Sequence, residues 1–196
     1  MNTLIDRREA LRKTALLMGA AVSASTVSAF LYGCKSTPEL NYKPVFFSED
    51  QARLISEVAE IILPKTDTPG AIEVGVPNFI DTMVKDCYNE EDQKKFLDGL
   101  AQFEEAAKRE LGDSFIQSNA EKQLAFVKKV HEEAVNAATV DSKVPRPFIL
   151  KLKELTMLGY FVSEPGATKV LQYIAVPGAY HGCIPLAEAG NGKAWA

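Results

Sequence analysis

Three cysteines, two histidines and one tryptophan in 196 residues leave little material for several kinds of chemistry. Three thiols are too few for a disulfide-built miniature fold or a multi-cysteine metal cluster, and two imidazoles argue against a His-rich metal site. A formal net charge of -4, from 22 Lys+Arg against 26 Asp+Glu, argues against general nucleic-acid binding. The sequence contains no G-x-G-x-x-G dinucleotide loop, no Walker phosphate loop, no C-x-x-C-H haem attachment and no G-x-S-x-G elbow. Internal repeats and sustained strand-like alternation are missing too. What remains is one domain's length of ordinary globular composition, in which catalysis would have to rest on isolated residues.

The amino terminus reads as an address. Arg7 and Arg8 precede an uncharged, Gly/Ala/Ser-rich stretch from Thr14 to Gly33, the layout of a twin-arginine export signal with departures at Asp6 and Ala10. Ser23, Ser25, Thr26 and Ser28 make this stretch a poor membrane span. Leu31-Tyr32-Gly33-Cys34 is similar to a bacterial lipobox, in which the Cys34 thiol carries the lipid. The expected organisation is therefore a signal over 1–33, a tether over 34–45 and a domain over 46–196 whose tail is irregular from about 176. The leader holds Arg7, Arg8, Arg12 and Lys13 against Asp6 and Glu9, so the mature chain keeps 18 basic and 24 acidic residues and a charge of -6. Such a surface does not adsorb to anionic lipid by charge, and attachment would depend on the acyl group.

From Ser48 the pattern is helical. Ser48-Glu49-Asp50-Gln51 is a capping box ahead of Leu54, Ile55, Val58, Ala59, Ile61 and Ile62, with Pro64 as the stop. A second helix is predicted from about Pro77 to Tyr88, burying Phe79, Ile80, Met83, Val84 and Cys87. A third is predicted over Glu91 to Leu111, capped by Gly112. A fourth opens at Ser118-Asn119-Ala120-Glu121 and buries Leu124, Val127, Val130, Ala134 and Val135. A fifth begins near Pro145 and carries Phe148, Ile149, Leu152, Leu155, Leu158 and Gly159. The economical fold is all-α, a single bundle-like domain of about five to six helices. A short helix is plausible around Ala167 to Tyr173, and the Gly/Pro/aromatic-rich remainder, ending at Trp195, reads as irregular.

His181 beside Cys183 is the strongest local candidate for chemistry, since an imidazole can activate a thiol. In an oxidising compartment a Cys87–Cys183 disulfide is the favoured expectation, restricting the unfolded chain by roughly 4 kcal/mol. His131, next to Glu132 and Glu133, reads as a helix-surface or boundary histidine. Asp67, Glu73, Asp81 and Glu164 fall in or near loops, where capping or solvated roles suffice. Asp67 between Thr66 and Thr68 reads as a loop stabiliser, and Arg146 as a salt-bridge partner. No residue is assigned a catalytic or metal-binding role.

Three blocks together carry a resemblance. Leu63-Pro64-Lys65-Thr66-Asp67-Thr68-Pro69-Gly70-Ala71 with Gly75-Val76-Pro77-Asn78-Phe79-Ile80-Asp81, then Leu155 through Gly159-Tyr160-Phe161-Val162-Ser163-Glu164-Pro165-Gly166-Ala167, then Tyr173 through Val176-Pro177-Gly178-Ala179-Tyr180-His181-Gly182-Cys183 resemble the gluconate 2-dehydrogenase subunit 3 family. The resemblance spans roughly residues 46–186. It implies a small accessory subunit of membrane-associated flavoprotein dehydrogenases of the glucose-methanol-choline type. In these the large subunit holds FAD and oxidises a sugar, sugar acid or glycoside, and electrons pass to a cytochrome or quinone. It also implies a role in maturing and exporting that large subunit, and it transfers no catalytic residue to this chain. Lipidation would add anchoring of the complex. On this reading the candidate partner contacts are Pro64, Thr66, Asp67, Pro69, Gly70, Gly159, Tyr160, Phe161, Glu164, Pro177, Tyr180 and His181. Two alternatives stand beside it: a solitary lipid-anchored sugar-binding protein, and an independent enzyme using His181 and Cys183.

Overall fold

Ser48 opens the first helix as its pattern requires. Its hydroxyl accepts from the Gln51 N–H while the Gln51 side chain accepts from the Ser48 N–H, at 3.3 and 2.9 Å, so two otherwise orphaned donors are satisfied. In the computed structural model, residues 40–140, 146–176, 178–179, 182–185, 187–188 and 192–194 are described. They form helices α1 (Glu49–Ile62), α2 (Val76–Cys87), α3 (Glu90–Leu111), α4 (Ala120–Val140) and α5 (Phe148–Val162), then a π-helical turn, Gly166–Val170. No strand occurs among the described residues. The expected all-α fold is the one observed.

The remaining boundaries also have local causes. Pro77 sits in the first turn of α2, where its missing N–H costs nothing. Asn89 caps α3 by accepting from the Asp92 N–H at 2.8 Å, and Gly112 ends it in the left-handed conformation, as expected. The α4 cap is Asn119, not Ser118: its side-chain oxygen accepts from the Lys122 N–H at 2.8 Å.

α5 is the central element, in contact with α1, α2, α3, α4 and the π-turn. Those contacts account for its buried positions, Ile149, Leu152, Leu155, Thr156, Gly159 and Tyr160. Leu152 and Thr156 are fully buried on it, and the Thr156 hydroxyl is satisfied by the Leu152 carbonyl at 2.8 Å. Ile55, Val58, Ile80 and Val84 fill the space toward α1 and α2. On the other side Phe47, Phe96, Phe148, Phe103, Phe126 and Phe115 form a chain of rings with centroids 5.1–6.2 Å apart, within the range of favourable aromatic contact.

Several expected burials are corrected. Cys87 is exposed, and Phe79 and Met83 are half-buried. On α4 the inward stripe is Gln123, Phe126, Val127, Val130 and Ala134, while Leu124 and Val135 face outward. Gln123 tolerates burial because its Nε2 donates to the Phe115 carbonyl at 2.8 Å. Leu158 of α5 is exposed as well. The segment expected to be tether is already docked from Leu40, where Leu40, Tyr42 and Phe46 pack against the core.

Candidate functional site

Two of the blocks that carry the family resemblance, residues 63–81 and 155–167, meet in space. α1 ends at Leu63, and the chain then runs through an extended loop to α2. Glu60, from the last turn of α1, holds this loop from inside: its carboxylate accepts from the Lys65 N–H at 3.0 Å and the Ile72 N–H at 2.9 Å. The Leu63 carbonyl accepts from the Ala71 N–H at 2.9 Å, closing the loop at its base. Gly70 sits against this carboxylate, where a Cβ would fall on Glu60. Burial, and then the neighbouring Glu60 charge, hold the Glu57 carboxyl above its ordinary value of 4.5.

α5 fastens the same loop from the other side. The Tyr160 hydroxyl donates to the Pro69 carbonyl at 2.7 Å. One residue earlier Gly159 lets Phe79 of α2 approach so closely that a Cβ at 159 would lie 2.5 Å from its ring. After α5 the chain folds back on itself: Ser163 Oγ donates to the Tyr160 carbonyl at 2.6 Å and accepts from the Gly166 N–H at 3.1 Å. The result is a rigid joint of loop, α2 and α5.

A buried carboxylate adds a second joint. Asp81, expected near a loop, lies within α2 and is fully buried. It accepts three backbone N–H groups, from Val45 at 2.6 Å, Phe46 at 3.1 Å and Phe47 at 2.9 Å, which pins the chain entering α1 against α2. Burial and then the Asp81 charge push the Tyr42 hydroxyl above its ordinary 10.0. No sequence pattern flagged Asp81 for this role, because its three donors come from backbone.

The candidate contacts divide accordingly. Pro69, Gly70, Gly159 and Tyr160 are internal to the joint and do not offer side chains to a partner. Pro64, Thr66, Asp67 and Glu164 are exposed, and Phe161 is half-buried. Asp67 stabilises the loop tip as expected, accepting from Thr66 Oγ1 at 3.0 Å, and Glu73 pairs with Lys65 at 2.7 Å. Arg146 pairs with Glu154 at 3.0 Å. Pro177, Tyr180, His181 and Trp195 lie outside the described residues, as do Arg7, Arg8 and Cys34. Cys87 and Cys183 are both free and exposed. The Cys87 thiol turns to the Met83 sulfur at 3.8 Å. The tail is tied to the π-turn region through Gln172 N–H to the Ala194 carbonyl at 2.7 Å and Lys193 Nζ to the Lys169 carbonyl at 2.5 Å.

α5 and the segment after it also carry exposed apolar side chains, those on α5 including a pair on the side away from Tyr160. Leu158 and Val162, one turn apart on α5, are 44% and 61% exposed. Met157 on the same turn, and Tyr173, Ile174 and Val176 beyond the π-turn, are exposed as well. No group of three or more His, Cys, Asp or Glu side chains among the described residues could hold a metal ion. No helix among them is long and apolar enough to cross a membrane.

Fold and site together define a small all-α domain with a braced loop and exposed apolar side chains on α5. The family model for gluconate 2-dehydrogenase subunit 3 matches residues 49–178, and the chain belongs to that family. The family is that of an accessory subunit of a dehydrogenase complex. No curated protein and no solved structure matches the chain.

Proposed function

We propose that this chain is a non-catalytic subunit that binds a FAD-dependent sugar, sugar-acid or glycoside dehydrogenase, assists its maturation and export, and anchors it at the membrane. The observation that carries the reading is the apolar face of α5, with Leu158 and Val162 at its centre, within the family-matched region. Contiguous exposed apolar side chains rimmed by polar ones mark contact surfaces. The exposed loop residues Pro64, Thr66 and Asp67 add a second contact, and the aromatic tail extends it. Twin-arginine export carries folded proteins, so a partner loaded with FAD in the cytoplasm would cross together with this chain. Cys34 would then hold both at the membrane surface, with electrons leaving the flavin for a cytochrome or quinone.

The test is recovery of the partner. Tagged full-length chain purified from its native membrane should bring a larger polypeptide and flavin absorbance with it. Leu158→Asp with Val162→Asp should lower that recovery by about tenfold or more, as hot-spot residues do, with helical circular dichroism unchanged. A flavin-free eluate from the unaltered chain would refute the reading.

A further inference from the structure

On a different face, α1, α4 and α5 leave an open cleft of about 200 Å3. Its floor is apolar: Ile61 and Ile62 from the end of α1, Leu124 and Val127 of α4, and Ile149 of α5. This cleft accounts for the outward position of Leu124, which covers no other helix. Its rim is charged, formed by Lys128, His131 and Glu132 of α4 and Lys153 of α5.

The rim has an unusual contact. Lys153 Nζ lies 3.0 Å from His131 Nε2. An ammonium has only protons to give, so in this contact Lys153 donates and Nε2 accepts. The contact uses one of three Lys153 protons. Neither Lys153 nor Lys128 forms an ion pair with a described residue, although Glu132 shares the rim, whereas the adjacent Lys129 reaches both Glu110 and Glu133, at 2.7 and 4.0 Å. Two ammonium groups therefore face an apolar cleft in a chain whose net charge is negative.

We infer that the cleft between α1, α4 and α5 binds a small amphipathic carboxylate, whose charge lies between Lys128 and Lys153 and whose hydrocarbon covers Ile61, Ile62 and Leu124. The charged end gains charge-assisted hydrogen bonds from donors the fold leaves unpaired. The apolar end removes floor and ligand surface from water, about fourfold in affinity per buried methylene. The volume, somewhat above the roughly 150 Å3 of an engineered cavity that takes benzene, suits one ring or a short acyl chain. The site does not depend on the accessory-subunit reading, since all its walls belong to this chain.

Three six-carbon probes separate the two demands. Hexanoate has both charge and hydrocarbon, hexanol only the hydrocarbon, and gluconate only the charge. Calorimetric titration of the full-length chain should show one saturable hexanoate site with Kd of about 1 mM or tighter, reasonable for about eight heavy atoms. Hexanol and gluconate should bind at least about tenfold more weakly. Lys128→Met, at an exposed residue, with Lys153→Met, at a half-buried one, should weaken hexanoate about tenfold and leave hexanol and the helical circular dichroism unaffected. Hexanoate should also shift the ring resonances of His131 and not those of His181. Hexanol binding equal to hexanoate would mark a protein-contact groove and overturn the proposal. Gluconate binding equal to hexanoate, an unaffected double variant or an unmoved His131 would overturn it equally.

Discussion

A buried carboxylate with three backbone donors is a large commitment for one residue. At Asp81 the donors are consecutive N–H groups of Val45, Phe46 and Phe47, and Phe47 is itself part of the aromatic chain through the core. Removing the acceptor strands all three donors, of which the Phe47 N–H is buried and the other two part-buried, and a buried stranded group costs about 1–3 kcal/mol. Asp81→Ala should therefore destabilise the domain by about 3 kcal/mol or more. For a domain of this size that lowers Tm by roughly 6–12 °C, measurable by thermal circular dichroism. Asp81→Asn keeps one carbonyl acceptor in the same place and should fall between. An Ala variant as stable as the parent would mean that the entering chain is held by its apolar packing alone.

At the scale of elements, the loop between α1 and α2 is shaped by groups outside itself: Glu60 from one helix and Tyr160 from another. Gly70→Ala places a methyl group on the Glu60 carboxylate, so either the loop moves or Glu60 releases the Lys65 and Ile72 N–H groups. Tyr160→Phe removes a single bond to the Pro69 carbonyl, worth about 1 kcal/mol. Both changes should speed amide hydrogen exchange at Ala71 and Val76, whose N–H groups bond within the loop, and leave the slowest amides of α5 unchanged. Gly70→Ala should have the larger effect, and equal protection in all three proteins would show that the loop needs neither brace. Helix starts and stops were legible beforehand because Ser48, Pro77 and Gly112 act through bonds with their own neighbours. The direction each helix face points was less legible. Periodicity identifies an apolar stripe but not whether another helix covers it, so Leu124, Val135 and Leu158 were expected inside. In the candidate site, the resemblance singled out Pro69, Gly70, Gly159 and Tyr160, yet their spacing along the chain says nothing of the Tyr160 to Pro69 bond across 91 residues. Asp81 and Glu60 left no pattern at all, since their partners are backbone amides.

At the scale of the whole molecule, stability and partner contact are carried by different parts of the chain. The core is complete by the π-turn, which is closed by its own bonds from the Ala167 N–H to the Ser163 carbonyl and from the Leu171 N–H to the Gly166 carbonyl. Beyond it, none of the described residues from 176 onward is buried or helical. Two hydrogen bonds tie this tail back, at Gln172 and Lys193, and exposed bonds of that kind are worth about 1 kcal/mol each. Deleting residues 176–196 should therefore leave the helical signal intact and lower Tm by only a few degrees. The same deletion removes Val176, 82% exposed, and Ile184, 43% exposed, together with the aromatic end of the chain. Exposed apolar groups that do no work in the isolated domain gain free energy only when something covers them. If the flavoprotein subunit covers them, recovery of flavin with the truncated chain should fall by about tenfold or more, against a nearly unchanged melting curve. Undiminished recovery would confine the contact to α5 and the loop tip, where Leu158→Asp with Val162→Asp would then abolish binding unaided.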